Sequence, residues 1–249
     1  MKETIGINIE NQLNQIEKTI KKYSDRNAEW NINYFKFQKE RYLKDINYFS
    51  KLDNVNNVLE IGAAPFHLSA LLVQHNYNLK ILDLDPSRFS DFLNEFNIHA
   101  EKCDIEHDVF PVEKSSIDLA IFTEVFEHLR INPVETLNKI SETIRPGGYI
   151  YLTTPNFYRH YNLVNIIKGK GFVNAFREFN KLNTIGHMGH VREYTRGEVT
   201  EFLENSNFEI VDFEYKNASN HSRFSRDGII TNTFKGLSSH LLFLARKKV

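Results

Sequence analysis

One cysteine, Cys103, occurs in 249 residues, so no disulfide can close within the chain and no cysteine-rich zinc site can form. No apolar run approaches the ~18 residues that a membrane-spanning helix needs, and the polar N-terminus lacks the apolar stretch of a secretory leader. The expectation is a cytoplasmic protein with no membrane span. Charge of one sign is lacking too. Lys and Arg number 31 against 32 Asp and Glu, a formal net charge of −1, which gives no global pull toward nucleic acid. No internal repeat or low-complexity linker is visible. The length suits a single α/β domain, residues 1–249, with extensions around one core.

Glycine is scarce where it would be most informative. Val58-Leu59-Glu60-Ile61 reads as a buried strand, Gly62-Ala63-Ala64-Pro65 as a tight turn, and Phe66-His67 as the start of a helix. About twenty residues on, the apolar run Leu79 to Leu82 ends in Asp83. Strand, turn, helix and a second strand ending in a carboxylate is the layout of a nucleoside-binding βαβ unit, with the carboxylate placed to accept two ribose hydroxyls. A dinucleotide site needs further glycines so that the backbone can close on a pyrophosphate. Here the later turn positions are Ala64, Pro65 and the bulky Phe66. A phosphate-free nucleoside such as S-adenosylmethionine fits Glu60, Gly62, Ala64 and Asp83 better than NAD does. Asp85 competes with Asp83 for the ribose, each able to take one hydroxyl, and Glu60 could instead support the turn through backbone N–H groups.

The order of motifs resembles the class I S-adenosylmethionine-dependent methyltransferases, over roughly residues 55 to 247. Phe96 to Asp104 resembles the third strand, and Ser116 to Phe122 the fourth. Thr123-Glu124-Val125-Phe126-Glu127-His128-Leu129 is similar to the family's signature after that strand. Leu137 to Ile144, Arg145-Pro146-Gly147-Gly148, and Tyr149 to Asn156 match a helix, a turn and the fifth strand. The resemblance implies a Rossmann-like, doubly wound α/β fold with seven strands, the last antiparallel. It implies that Asp104 contacts the adenine amine, that Ile105 lines the adenine pocket, and that Thr123 and Glu124 border the cofactor. Four regions are expected: a helical extension over 1–50, a cofactor-binding core over 55–155, an acceptor lid over 156–194, and a C-terminal helix and strands over 195–249. In the extension, Tyr34, Phe35, Phe37, Tyr42, Ile46 and Phe49 partly suit an amphipathic helix, and Tyr23, Arg26 and Trp30 are candidate pocket contacts.

The lid segment carries the local chemistry. From Asn156 to Arg192, Arg159, Lys168, Lys170, Arg177, Lys181 and Arg192 stand against one acid, Glu178, among many aromatic side chains. Cations beside aromatic faces suit an anionic acceptor, most simply a phosphorylated one. A solvated lid whose aromatics pack inward is the plain alternative. Gly186 to Thr195 resembles a turn at the pocket mouth of small-molecule and sugar methyltransferases, so Arg159, His190, Arg192 and Tyr194 are candidate acceptor contacts. His187 and His190 could converge on one ion, but no nearby acid cluster completes a site and the segment reads as loop, so no metal is expected. His128, His187 and His190 are the candidate bases, should the nucleophile be a hydroxyl or a protonated amine. Glu124 and His128, four apart, would share a face if helical. The expected activity is methyl transfer to a hydroxyl or amine of a small phosphorylated acceptor, a surface-glycan sugar intermediate or an amino alcohol. A cofactor-binding partner protein without turnover is the alternative. The sequence does not reveal an oligomeric state.

Overall fold

The computed structural model describes residues 2–23, 28–185, 189–217 and 226–249. The chain divides into two compact units, Met1–Ile105 and Glu106–Val249. One seven-stranded sheet has the order β3-β2-β1-β4-β5-β7-β6, in a chain that alternates strands and helices.

The first unit opens with two long helices, α1 (Lys2–Lys22) and α2 (Ala28–Phe49). Ile9, Leu13, Ile16 and Ile20 recur every three or four residues along α1 and are all buried, the stripe of a one-sided helix. On α2 the buried apolar positions are Phe35, Tyr42, Ile46 and Phe49, whereas Phe37 faces outward. Then come β1 (Asn57–Ile61), α3 (His67–Gln74), β2 (Asn78–Asp83), a 3-10 turn over Pro86–Phe89, α4 (Ser90–Glu95) and β3 (Glu101–Lys102). β1 pairs parallel with β2, from Asn57 opposite Asn78 to Ile61 opposite Leu82. β3 is far shorter than the strand expected over Phe96–Asp104, pairing only through Glu101 and Lys102. The reason is local. Phe96 closes α4, Asn97 takes a left-handed φ of 51°, and Phe96 and Ile98 bury their side chains in the connection.

The second unit holds β4 (Ile117–Thr123), a 3-10 turn over Phe126–His128, α5 (Pro133–Thr143) and β5 (Ile144–Pro155). After these come α6 (His160–Ile167), α7 (Ala175–Ile185), α8 (Arg196–Asn205), β6 (Phe208–Lys216), α9 (Arg226–Thr233) and β7 (His240–Lys247). β4 and β5 run parallel, and a register shift between Ile117 and Leu119 takes up Arg145–Gly148. Gly148 has no substitute there, because an added Cβ would lie 2.7 Å from Ile144 Cγ2 and 2.9 Å from the Asp118 carbonyl. β7 runs antiparallel between β5 and β6, as the resemblance implies. The lid region contains the two helices α6 and α7, and the polar connection before β7 contains the short helix α9. Polar residues there, such as Asn217 and Thr231, hydrogen-bond each other and leave the backbone free to coil.

Candidate active site

In the first unit the turn after β1 is built by backbone chemistry. Gly62 adopts φ 66°, a region that costs glycine little, and its amide donates to the Leu82 carbonyl at 2.8 Å. The Phe66 amide donates to the Ala63 carbonyl at 2.7 Å, and the Phe66 ring turns inward to pack edge-on against Phe89. The bulky residue of the turn is therefore core. Asp83, at the carboxyl end of β2, is buried, and its two oxygens each accept a backbone amide at 3.0 Å, from Ala64 and from Asp85. A carboxylate has about four acceptor directions. Two remain to take a pair of ribose hydroxyls, with the side chain already fixed. Asp85 is engaged locally, accepting from the Ser87 hydroxyl at 2.6 Å ahead of the 3-10 turn. The Cys103 amide donates to the Asp83 carbonyl, which brings half-buried Asp104 and Ile105 past the end of β3 beside Asp83.

Glu60 is buried beneath the turn and accepts from the Ser69 hydroxyl of α3 at 2.6 Å. Burial, with the nearby Asp83 charge adding, pushes its carboxyl up to about 8, so it is protonated at neutral pH. Its place is to lock α3 onto β1. Sequence reasoning gave no role to His67, which is enclosed by Tyr34, Phe35, Tyr42 and Phe92. Burial lowers it to about 3, so it is neutral. Of the proposed pocket contacts, Tyr23 donates its hydroxyl to Glu95 at 2.6 Å, exposed Trp30 stacks on Tyr34, and Arg26 lies outside the described residues.

The second unit gathers a different set at the carboxyl ends of β4 and β5. Half-buried Thr123 closes β4, and Glu124 follows with φ 58°. The backbone then makes a single 3-10 turn, so Glu124 and His128 do not share a helical face as expected. Instead the Glu124 carboxylate accepts from the Thr153 hydroxyl at 2.7 Å and lies 3.0 Å from His240 Nε2. Glu127 is buried and accepts from the Thr154 hydroxyl at 3.0 Å. Its backbone carbonyl takes the Val191 amide at 2.8 Å and the Arg192 amide at 3.3 Å. Those bonds bring His190 to His128, their rings edge to face at 5.0 Å between centroids. Burial pushes the Glu127 carboxyl well above the usual range, and the neighbouring carboxylates of Glu124 and Glu193 push the same way.

His190 Nδ1 lies 3.2 Å from Glu193 Oε1. Glu193 is buried and fixed by Arg159 at 2.5 Å and by the Asn162 amide at 2.6 Å. A carboxylate facing Nδ1 selects the Nδ1–H tautomer and leaves Nε2 as the basic nitrogen. Arg159 is thus spent on an internal pair. Arg192 meets Glu198 at 2.5 Å and lies over the Tyr194 ring, while Tyr194 is only 3% exposed, packed between Phe126 and Phe202. His187 lies outside the described residues. Glu127, Glu193 and Asn162 were not foreseen; the adjacent Glu127-His128 pair and the three-residue spacing of His190 and Glu193 were the available signals.

A family model described as a methyltransferase domain matches residues 34–212. The chain belongs to that methyltransferase family. It is a class I enzyme whose cofactor is S-adenosylmethionine. Among solved structures, it shares its fold with an S-adenosylmethionine-dependent methyltransferase from Archaeoglobus fulgidus, 16% identical at TM-score 0.58, covering 86% of this chain and 99% of that one. A possible histamine N-methyltransferase from Thermotoga maritima is 15% identical at TM-score 0.58, covering 90% and 97%. The 1,6-didemethyltoxoflavin-N1-methyltransferase of Burkholderia thailandensis, solved with bound 1,6-didemethyltoxoflavin and S-adenosylhomocysteine, is 15% identical at TM-score 0.51, covering 78% and 72%. No curated protein matches the chain in sequence. The Gly62 turn and the Asp83 carboxylate, held by two backbone amides, lie at the carboxyl ends of β1 and β2, and Asp104 and Ile105 follow β3. Among the described residues no helix is long and apolar enough to cross a membrane.

Proposed function

We propose that the methyltransferase acts on a small, phosphorylated acceptor through a hydroxyl or amine, of the kind found on a surface-glycan sugar intermediate or a phosphorylated amino alcohol. The carrying observation is the Glu127, His128 and His190 cluster, polar groups drawn to one point where the two histidines keep about 30% exposure. Such a cluster suits an acceptor that must be held by its heteroatom and lose a proton. The cofactor supplies a sulfonium methyl that is already activated for displacement. The acceptor's lone pair forms the new bond to carbon as the S–C pair returns to sulfur, and the proton leaves the acceptor. Holding the partners in line contributes on the order of 7–11 kcal/mol of the barrier.

The phosphate in this reading rests on the cations of the α6–α7 region. Arg159, Lys181 and Arg192 are paired with Glu193, Glu178 and Glu198. Lys168, Lys170 and Arg177 remain as exposed positive charge on and beside the two helices. S-Adenosylhomocysteine release should therefore be followed with each sugar or amino alcohol in its free and phosphorylated forms. Turnover restricted to the phosphorylated members is expected, with at least a tenfold higher kcat/KM. Equal rates on both members of a pair would refute the anion preference, and reduce these cations to a solvated surface.

A further inference from the structure

The chain has no acid beside His190 in sequence before Glu193, yet its fold assembles a mixed ligand set. One carboxylate oxygen of Glu127 and one nitrogen each of His128 and His190 lie within 4.8 Å of one another. Both imidazole Nε2 atoms stand 3.9 Å from Glu127 Oε1. That is too long for a hydrogen bond, which at these atoms closes to about 2.7–3.2 Å. It is within the span of two ligands on one ion, since nitrogen and carboxylate oxygen bind zinc at about 2.0–2.2 Å and so stand up to about 4.2 Å apart. The three groups converge on one point.

We propose that Glu127, His128 and His190 bind one divalent transition-metal ion. Two further features of the structure favour an ion there over a plain polar cluster. The first is the support behind His190. Its Nδ1 faces Glu193 at 3.2 Å, and Glu193 is itself pinned by Arg159 and Asn162, so Nε2 is presented with its lone pair toward Glu127 and His128. This is the carboxylate–histidine support that orients metal-binding imidazoles. The second is the setting of Glu127. It is buried, Arg159 answers the neighbouring Glu193, and the groups facing the Glu127 carboxylate at ion-pair distance among the described residues are the two histidines, so a 2+ ion would supply the counter-charge a buried carboxylate needs in order to ionise.

The chemistry of the donors narrows the ion. Two nitrogens and one oxygen suit Zn²⁺, Mn²⁺, Fe²⁺ or Co²⁺; Ca²⁺ and Mg²⁺ ask for a shell of oxygens. Three protein ligands with two half-exposed histidines leave coordination positions open, the mark of a site that takes a further oxygen ligand and not of a closed structural one. An ion so held would bind the acceptor oxygen and make its proton easier to lose. That role rests on the function proposed above, whereas the binding of the ion does not.

The test uses the full chain, stripped with a chelator and titrated with Co²⁺, read by calorimetry and by visible absorption. One equivalent per chain is expected. His190→Ala and His128→Ala should each weaken it at least a hundredfold, while circular dichroism stays unchanged. Glu193→Gln, which keeps all three ligands, should weaken it about tenfold by loosening His190. The exposed His99→Ala should bind as the parent does. Absence of a stoichiometric Co²⁺ site, or a site indifferent to His128 and His190, overturns the proposal. Intact Co²⁺ binding with no turnover on any acceptor overturns the functional reading and leaves the site standing.

Discussion

Asp83 shows how neighbours fix one carboxylate in advance. Its oxygens are held by the Ala64 and Asp85 amides, so the side chain needs no reorganisation to accept a further donor. Asp83→Asn replaces one acceptor oxygen by a donor that faces either an amide or a ribose hydroxyl. S-Adenosylmethionine binding should weaken tenfold to a hundredfold by calorimetry, about 1.4–3 kcal/mol. An unchanged Kd would move the ribose to Asp85. Glu60 makes a prediction about pH. Its folded-state pKa is raised from the usual carboxylate range to about 8, so the folded protein holds a proton that the unfolded chain has released. The associated stability is fully present below about pH 4.5 and is lost as pH climbs through about 8. Glu60→Gln cannot ionise, so its melting temperature relative to the parent should rise steadily from pH 5 to 8.5, by an amount equivalent to a few kcal/mol. A difference independent of pH would show that Glu60 is already ionised in the fold. His67 acts in the opposite direction. Its depressed pKa means stability lost as pH falls from about 6.5 toward 3, which is why the comparison is made against the Gln variant.

Among the elements, helix ends are the places where sequence and structure agree most closely. The Thr195 hydroxyl accepts from the Glu198 amide and the Glu198 carboxylate accepts from the Thr195 amide, a reciprocal cap that the Thr195-x-x-Glu198 spacing announces. Thr195→Ala should cost about 1 kcal/mol in chemical denaturation, with the m-value unchanged. A loss below a few tenths would mean that the packing of Val199 and Leu203 holds α8 without its cap. The β4 turn is the contrary case. A run of seven residues after a strand, with Glu124 and His128 four apart, reads as helix, yet Glu124 takes a positive φ and its amide bonds to the Thr153 carbonyl. The neighbouring strand supplied a partner that local propensity could not anticipate. Phe37 on α2 differs from its apolar neighbours for a local reason. Its aromatic character suggested burial, but the helical period places it opposite the stripe of Phe35, Tyr42, Ile46 and Phe49.

For the molecule as a whole, the near-zero net charge and single cysteine bounded the answer before any element was placed. The βα pattern, the Gly62 turn and the carboxylate ending β2 were all local in sequence, because a strand end and the turn after it are contiguous residues. The sequence by itself determined the fold class, the antiparallel last strand and the cofactor. Tertiary structure decided what the charged residues of the second unit do. Arg159 and Glu193 are thirty-four positions apart, and Glu127 and His190 sixty-three, so no spacing rule joins them. They meet because the Val191 and Arg192 amides must find acceptors, and the carbonyl of Glu127 provides one. Backbone hydrogen bonding closes that long loop, and only then does an unremarkable histidine face a buried carboxylate.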